Sequence, residues 1–450
     1  MSRRVPVPAR VGDNHALSTL DLMDDTPARP DSGDENPFKG TPFEQLFAGL
    51  GAGGMPDLTA LMGQLQHLMA PHDGPINWEY AVDMARKGAA QQPDPSPTQQ
   101  QKDAVADAIR LADHWLDQST DFPSGVTSAT AWSRAEWIVN TTEVWKKLVE
   151  PIATSATQSL GQALPEEARA MAGPLLGMLG KATGAMVATQ VGSGLGTLAG
   201  EVWCATDVGL PLSAPGKAAL IPTNIAAFAE GLDVDESDVL LYVALREAAH
   251  QRLFAHVPWL ADHLLGAVTD YARGIEINTS GIEEQLRGMD MSNPAAMQQA
   301  FEGGLVDLAN SPAQQAALER LEVTLALVEG WVDEVVGVAT AERMPAATRL
   351  HELVRRRRAA GGPAEQTFAS LVGLELRPRR LRDASTLWGS LRTRQGPEAR
   401  DGVWMHPDLL PTAADLDDPL GFREGAEATE QLSAEEFDAG LRDLLDGPPE

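Results

Sequence analysis

The spacing of apolar positions predicts a chain built mostly of helices. In "SPTQQQKDAVADAIRLADHWL", Val105, Ile109, Ala112 and Leu116 recur three to four positions apart, which is one face of a helix. Ser96-Pro97 precedes them as a start signal. "SRAEWIVNTTEVWKKLVEPIA" continues the pattern, with Trp137, Val144, Trp145 and Leu148 as core positions. Pro151 is expected to interrupt or end that helix. A short helix is also expected within "PDLTALMGQLQHLMA", on Leu58, Leu61, Met62, Leu65 and Leu68.

Further along, Gly173, Gly177, Gly180 and Gly184 fall on a single helical face. A mid-helix glycine costs about 0.5–1 kcal/mol relative to alanine, so such a row implies that a second helix comes close to the backbone. A phosphate-binding loop would need a Gly-Lys-Ser/Thr ending, which is missing. The uncharged run Ala182–Gly200 is long enough to span a bilayer. It is mostly Gly, Ala, Ser, Thr and Gln, however, and Lys181 and Glu201 flank it, so a buried helix outside any membrane is expected. "PLSAPGKAALIPTNIAAFAEGLDVDESD" breaks the helical pattern, and its short apolar runs "AALIP" and "NIAAFA" suggest a small β element. Helical spacing resumes near Ser237, an N-cap candidate, and returns in the long segment "AQQAALERLEVTLALVEGWVDEVVGVA". The fold class expected is mainly α, with at most a small β element.

Composition divides this pattern into regions. Residues 1–95 are rich in Pro, Gly, Asp and Ser and read as largely disordered. Residues 96–408 read as the helical body. Residues 409–450 read as an acidic, mobile tail holding one short amphipathic helix at 435–445. With 450 residues and 43% hydrophobic content the chain can bury a sizeable core. A net charge of −29 argues against nucleic acid or an anionic membrane as partner. The one cysteine, Cys204, excludes an intramolecular disulfide, fits a reducing compartment and reads as a small buried hydrophobe. "MSRRVPVPAR" has no apolar core after its arginines, so a cytoplasmic location is expected. Arg355–Arg358 reads as a solvated helix end, or else as a patch for an acidic partner or the chain's own tail.

The chemistry concentrates in "ALREAAHQRLFAHVPWL". Val239, Leu240, Tyr242, Val243, Ala244, Leu245, Ala248, Ala249, Leu253 and Phe254 surround the axis of this helix, and a helix apolar on all sides is a buried one. Arg246, Glu247 and His250 within it therefore need partners, because an unpaired buried charge is costly. In the zinc-peptidase signature His-Glu-x-x-His, two histidines four apart share a face and grip one zinc at about 2.0–2.1 Å, and the Glu acts as base on the metal-bound water. This chain reads Arg246-Glu247-Ala248-Ala249-His250. Arg246 stays protonated and has no lone pair to give a metal. His256 lies six residues beyond His250 and is a weaker ligand candidate. The glycine that turns the chain toward a third histidine in the longer signature is absent, and Pro258 ends the helix near His256. Glu329 and Asp333 in "LVEGWVDEVV" have the Glu-x-x-x-Asp spacing of a third ligand and an orienting carboxylate. Glu329 also has mostly apolar helical neighbours, so it too needs a buried partner.

These stretches, with "GGPAEQTFASLVGLELRPRRLRDASTLW" and "HPDLLPTAADLDDPLGF", resemble an actinobacterial family of zincin-like proteins described as hydrolases or zinc-dependent metallopeptidases of unknown substrate. The resemblance spans roughly residues 100–425. It implies a mainly helical fold around a zincin-type helix pair. It also implies a Zn²⁺ cofactor held by His250 and Glu329, Glu247 as the catalytic base, and a peptide or protein substrate. Arg246 replaces the first ligand of that pattern. Two functions follow as expectations: a metallohydrolase weakened or silenced by that replacement, or a non-catalytic scaffold. In the scaffold the Arg246 guanidinium pairs with Glu329 in the metal's place, with Asp333 in a structural pairing role.

Overall fold

The computed structural model describes residues 74–162, 173–274, 276–277, 308–309, 311–359 and 380–423. All of them belong to one compact unit, Gln64–Glu450. The described elements are α1 (Trp78–Ala89), α2 (Gln99–Leu116), β1 (Ser128–Ala131), α3 (Arg134–Gln162), α4 (Gly173–Glu201), β2 (Lys217–Leu220), α5 (Pro222–Ala229) and α6 (Glu236–His256), followed by α7 (Pro258–Arg273), β3 (Glu276–Ile277), β4 (Leu308–Ala309), α8 (Pro312–Thr340), α9 (Ala347–Ala359), α10 (Leu381–Gly402) and α11 (Ala413–Asp417). The protein is mainly α. Its described β structure is a parallel pair, β1 with β2 from Ser128–Lys217 to Ala131–Leu220, and a two-residue antiparallel pair of β3 with β4.

Local signals place most helix starts. Thr98 caps α2 in a reciprocal box with Gln101, so the cap lies two residues beyond Ser96, and Val105, Ile109, Ala112 and Leu116 are its buried positions. Ser311 forms the same box with Gln314, ahead of Pro312 at the first position of α8. Three local expectations are corrected. "NIAAFA" lies in α5, because Pro222 opens a helix at once after β2. The helix α3 runs through Pro151, so tertiary packing outweighs the local penalty there. The helix α6 begins at Glu236, one residue before Ser237, with Asp235 at the N-cap position. It ends at His256, where Pro258 begins α7.

Of the glycine row expected to meet a second helix, the surroundings of Gly173, Gly177 and Gly180 lie outside the described residues, and a Cβ on Gly184 would lie 2.8 Å from the Pro75 carbonyl oxygen, ahead of α1. A close helix approach occurs further along α4, at Gly192 and Gly196. A Cβ on Gly192 would lie 2.7 Å from the Ala81 carbonyl oxygen, and one on Gly196 2.9 Å from that of Ala85, both on α1. The ordered body thus includes α1, which precedes the composition change near Ser96. It also reaches past residue 408, where Leu416 and Phe422 are buried. The helices expected within residues 56–70 and 435–445 lie outside the described residues. Among the described residues no helix is long and apolar enough to cross a membrane.

The helix α6 occupies the middle of this assembly, touched by α2, α5, α7, α8, α9 and β2. Thirteen of its residues are buried, including Arg246, Glu247, His250, Gln251 and Arg252. Its near-uniform hydrophobicity is the cause: a helix with no polar face has no side to offer to water.

Candidate functional site

Arg246 and His250 stand four residues apart on α6 and share one face. Across from them, α8 presents Glu329. The His250 Nε2 atom lies 3.1 Å from Glu329 Oε1, and the Arg246 guanidinium donates to Glu329 Oε2 at 2.6 Å. A second guanidinium, that of Arg358 on α9, reaches the same Oε2 at 2.8 Å. Arg358 is itself fixed by the loop that joins α4 to β2, donating to the Asp207 carbonyl at 2.6 Å. Gly209 of this loop, at φ +76°, passes so close that a Cβ there would sit 3.0 Å from Glu329 Oε1. The other nitrogen of His250, Nδ1, faces the Arg246 carbonyl oxygen at 2.8 Å.

Charge explains why this carboxylate tolerates burial. Burial alone would raise the Glu329 carboxyl, but Arg358, His250 and Arg246 outweigh it and hold the group well below the usual carboxylate range. One turn further along α8, Asp333 takes Arg355 at 2.6 Å and the Ser385 hydroxyl at 2.8 Å, with the His351 imidazole against its other oxygen. Burial raises the Asp333 carboxyl, and the His351, Arg246 and Arg355 contributions bring it down to about 2. Burial pushes the Tyr242 hydroxyl up to about 12, against the pull of the nearby Arg246.

Glu247 takes a different set of partners, on β2, on the loop before it and on α6 itself. Its Oε2 accepts from the Thr206 hydroxyl at 2.6 Å and the Thr206 amide at 3.1 Å, and its Oε1 from Gln251 at 3.0 Å and the Ala219 amide at 3.3 Å. His256 is also elsewhere. It is exposed, stacks on Phe122 and contacts the Pro123 carbonyl at 3.1 Å. The six expected residues therefore divide: Arg246, His250 and Glu329 are in mutual contact, Asp333 lies one turn away, and Glu247 and His256 point to other partners. Cys204 is buried, and burial together with the nearby Glu247 and Asp207 carboxylates pushes its thiol well above 9.0, which disfavours a nucleophilic thiolate.

Nothing in the sequence marked Asp207, and Arg355 and Arg358 take a role other than the one expected of their run. The Arg355–Arg358 run is not a solvated end. Arg355 binds Asp333, Arg358 binds Glu329, and Arg357 packs 4.0 Å over the Trp203 ring and donates to the Glu201 carbonyl. Arg356 alone of the four is exposed, paired with Glu352 one turn back. A signal was present. Ala347, Leu350 and Val354 form a buried stripe at helical spacing, and Arg358 continues it by four residues.

The zincin-like metallopeptidase family matches residues 76–422, most of the chain. The chain belongs to the zincin-like metallopeptidase family. A crystal structure from Chloroflexus aurantiacus, described as that of a candidate hydrolase with a novel fold, is similar, with a TM-score of 0.53 and 20% identity over 76% of this chain and 96% of that one. At that identity the likeness concerns the fold alone. No curated protein matches this chain.

The family implies a zinc ion, and the residues in this zincin-like site fit one poorly. A catalytic zinc takes three protein ligands. The cluster offers two donors, His250 and Glu329, and the second oxygen of Glu329 already carries two guanidinium groups. Both His250 nitrogens face oxygen atoms, so neither leaves a lone pair directed at open space. Among the described residues no group of three His, Cys, Asp or Glu is placed to hold a metal ion.

Proposed function

We propose that this chain is a non-catalytic member of the zincin-like family, a cytoplasmic scaffold in which a guanidinium takes the place of the metal. One observation carries the reading: Glu329, the third-ligand position, has its Oε2 held by Arg246 at 2.6 Å and Arg358 at 2.8 Å. A zinc dication there would face two fixed positive charges in a buried setting, where like charges repel far more strongly than in water. The partner in this reading is a peptide or protein segment, bound without cleavage. Net charge −29 disfavours nucleic acid in that role.

A second reading, a zinc-dependent peptidase with Glu247 as base, has one geometric observation in its favour. His250 Nδ1 meets the Arg246 carbonyl at 2.8 Å, the kind of contact that aims the Nε2 of a ligating histidine at a metal. Metal analysis of the protein purified without added zinc, followed by calorimetric zinc titration of the wild type and His250→Ala, decides between the two. The scaffold reading expects no stoichiometric zinc and no chelator-sensitive peptide cleavage. One zinc per chain, lost in His250→Ala, would overturn it in favour of the peptidase.

A further inference from the structure

Resting on that scaffold reading, we infer that the metal position is closed from two helices, by Arg246 of α6 and independently by Arg358 of α9, so that restoring the missing histidine is not enough to restore metal binding. The motif shows only the first block. Arg246 stands where a ligand should be, and exchanging it for histidine would complete the signature. The second block comes from a helix more than a hundred residues later in the chain.

The two guanidiniums reach the same oxygen, Glu329 Oε2, at 2.6 and 2.8 Å. Removing Arg246 alone leaves Glu329 still paired with a buried cation. Arg358 is also not free to withdraw. It donates to the Asp207 carbonyl at 2.6 Å, and Asp207 is held in turn by the Trp203 amide, which donates to its Oδ2 at 3.0 Å. The neighbouring arginines clamp the rest of the helix. Arg357 lies over the Trp203 ring and donates to the Glu201 carbonyl, and Arg355 holds Asp333 and the Ser385 hydroxyl. The helix α9 is thus tied to α8, α10 and the loop after α4, and Arg358 stays on Glu329 whatever stands at position 246. A dication ligated by Glu329 would need to displace this guanidinium or lie against it.

The test is zinc titration by calorimetry, with cobalt(II) absorption as a second signature of coordination, on the full chain as wild type, Arg246→His, Arg358→Gln and the double variant. The double variant is expected to bind one metal ion at least about tenfold more tightly than Arg246→His. Equal affinity in the single and double variants overturns the inference, as does no binding by a folded double variant. Stoichiometric binding by the wild type would instead sink the scaffold reading itself, so the two failures are distinguishable. Should the double variant fail to fold by circular dichroism, Arg246→His/Arg358→Met is used in its place. Thermal melting adds a readout without metal. Arg358→Gln is expected to lower Tm in the Arg246→His background as in the wild type, and an unchanged Tm in that background overturns the inference.

Discussion

Glu247 and Glu329 are both buried carboxylates of the central helix pair, and they are stabilised in opposite ways. Glu247 meets neutral donors, the Thr206 hydroxyl and amide, the Ala219 amide and the Gln251 side chain. It ties α6 to β2 and to the loop after α4. Glu329 meets cationic guanidiniums and an imidazole. A carboxylate among neutral dipoles secures backbone, and one among cations neutralises charge. In a working zincin the glutamate of the signature helix faces the metal. Here its carboxylate is taken up by Thr206, Ala219 and Gln251, and the charged cluster forms around Glu329.

Substitutions at these two positions break the comparison most directly. Glu329→Ala leaves Arg246, Arg358 and His250 without their shared anion, and losing one partner of a buried ion pair costs about 3–5 kcal/mol. Chemical denaturation should show a loss of that size. A loss below about 1 kcal/mol, the range of an exposed pair, would mean that the cluster is solvated. Glu247→Gln keeps the shape but turns an amide NH₂ toward donors, which predicts a cost of about 1–3 kcal/mol, smaller than at Glu329. If the glutamine variant proves the less stable of the two, the contrast drawn above is reversed.

Acid titration sharpens the comparison. Asp333 titrates at about 2 in the folded protein, below its ordinary 3.8. A depressed carboxyl stabilises the fold above the unfolded value and loses that contribution as pH falls through the folded one. Stability should therefore drop between about pH 4 and pH 2, by on the order of 2 kcal/mol from Asp333. Glu329 shifts in the same direction, so its contribution is lost from below its ordinary value downward. Denaturant midpoints measured across this range check the sign: a midpoint that rises toward pH 2 refutes it. The smallest effect is expected within the arginine run itself. Arg356→Ala removes only an exposed pair with Glu352 and should change stability by no more than about 0.5 kcal/mol. A cost comparable to that of Arg358→Gln would show that the run acts as one charged block and not through individual contacts.

Much of this was legible in the chain. Helical spacing gave α2 and α8, and Pro258 gave the end of α6, because these signals are local. Where neighbours intervened, local reading failed. The helix α3 passes through Pro151, and "NIAAFA" is helical although its composition suited a strand. The apolar surround of α6 predicted that its polar residues would be buried, and Glu329 was found as a partner because it too stood in an apolar helix. The arginine run was misread because charge runs on helices usually face water.

The sequence by itself determined that this is a mainly helical protein whose motif helix is buried, and that Arg246, His250 and Glu329 each need a buried partner. Periodicity and burial are properties of segments, and a buried charge demands an answer wherever it lies. Only the tertiary structure decided which answer each received. Glu247 went to β2 and the loop before it, His256 to the surface, and Arg358, from a helix distant in the chain, to Glu329. Those assignments depend on how α6, α8 and α9 are rotated against one another. That rotation is set by the packing of all their faces together, and no spacing within one segment encodes it.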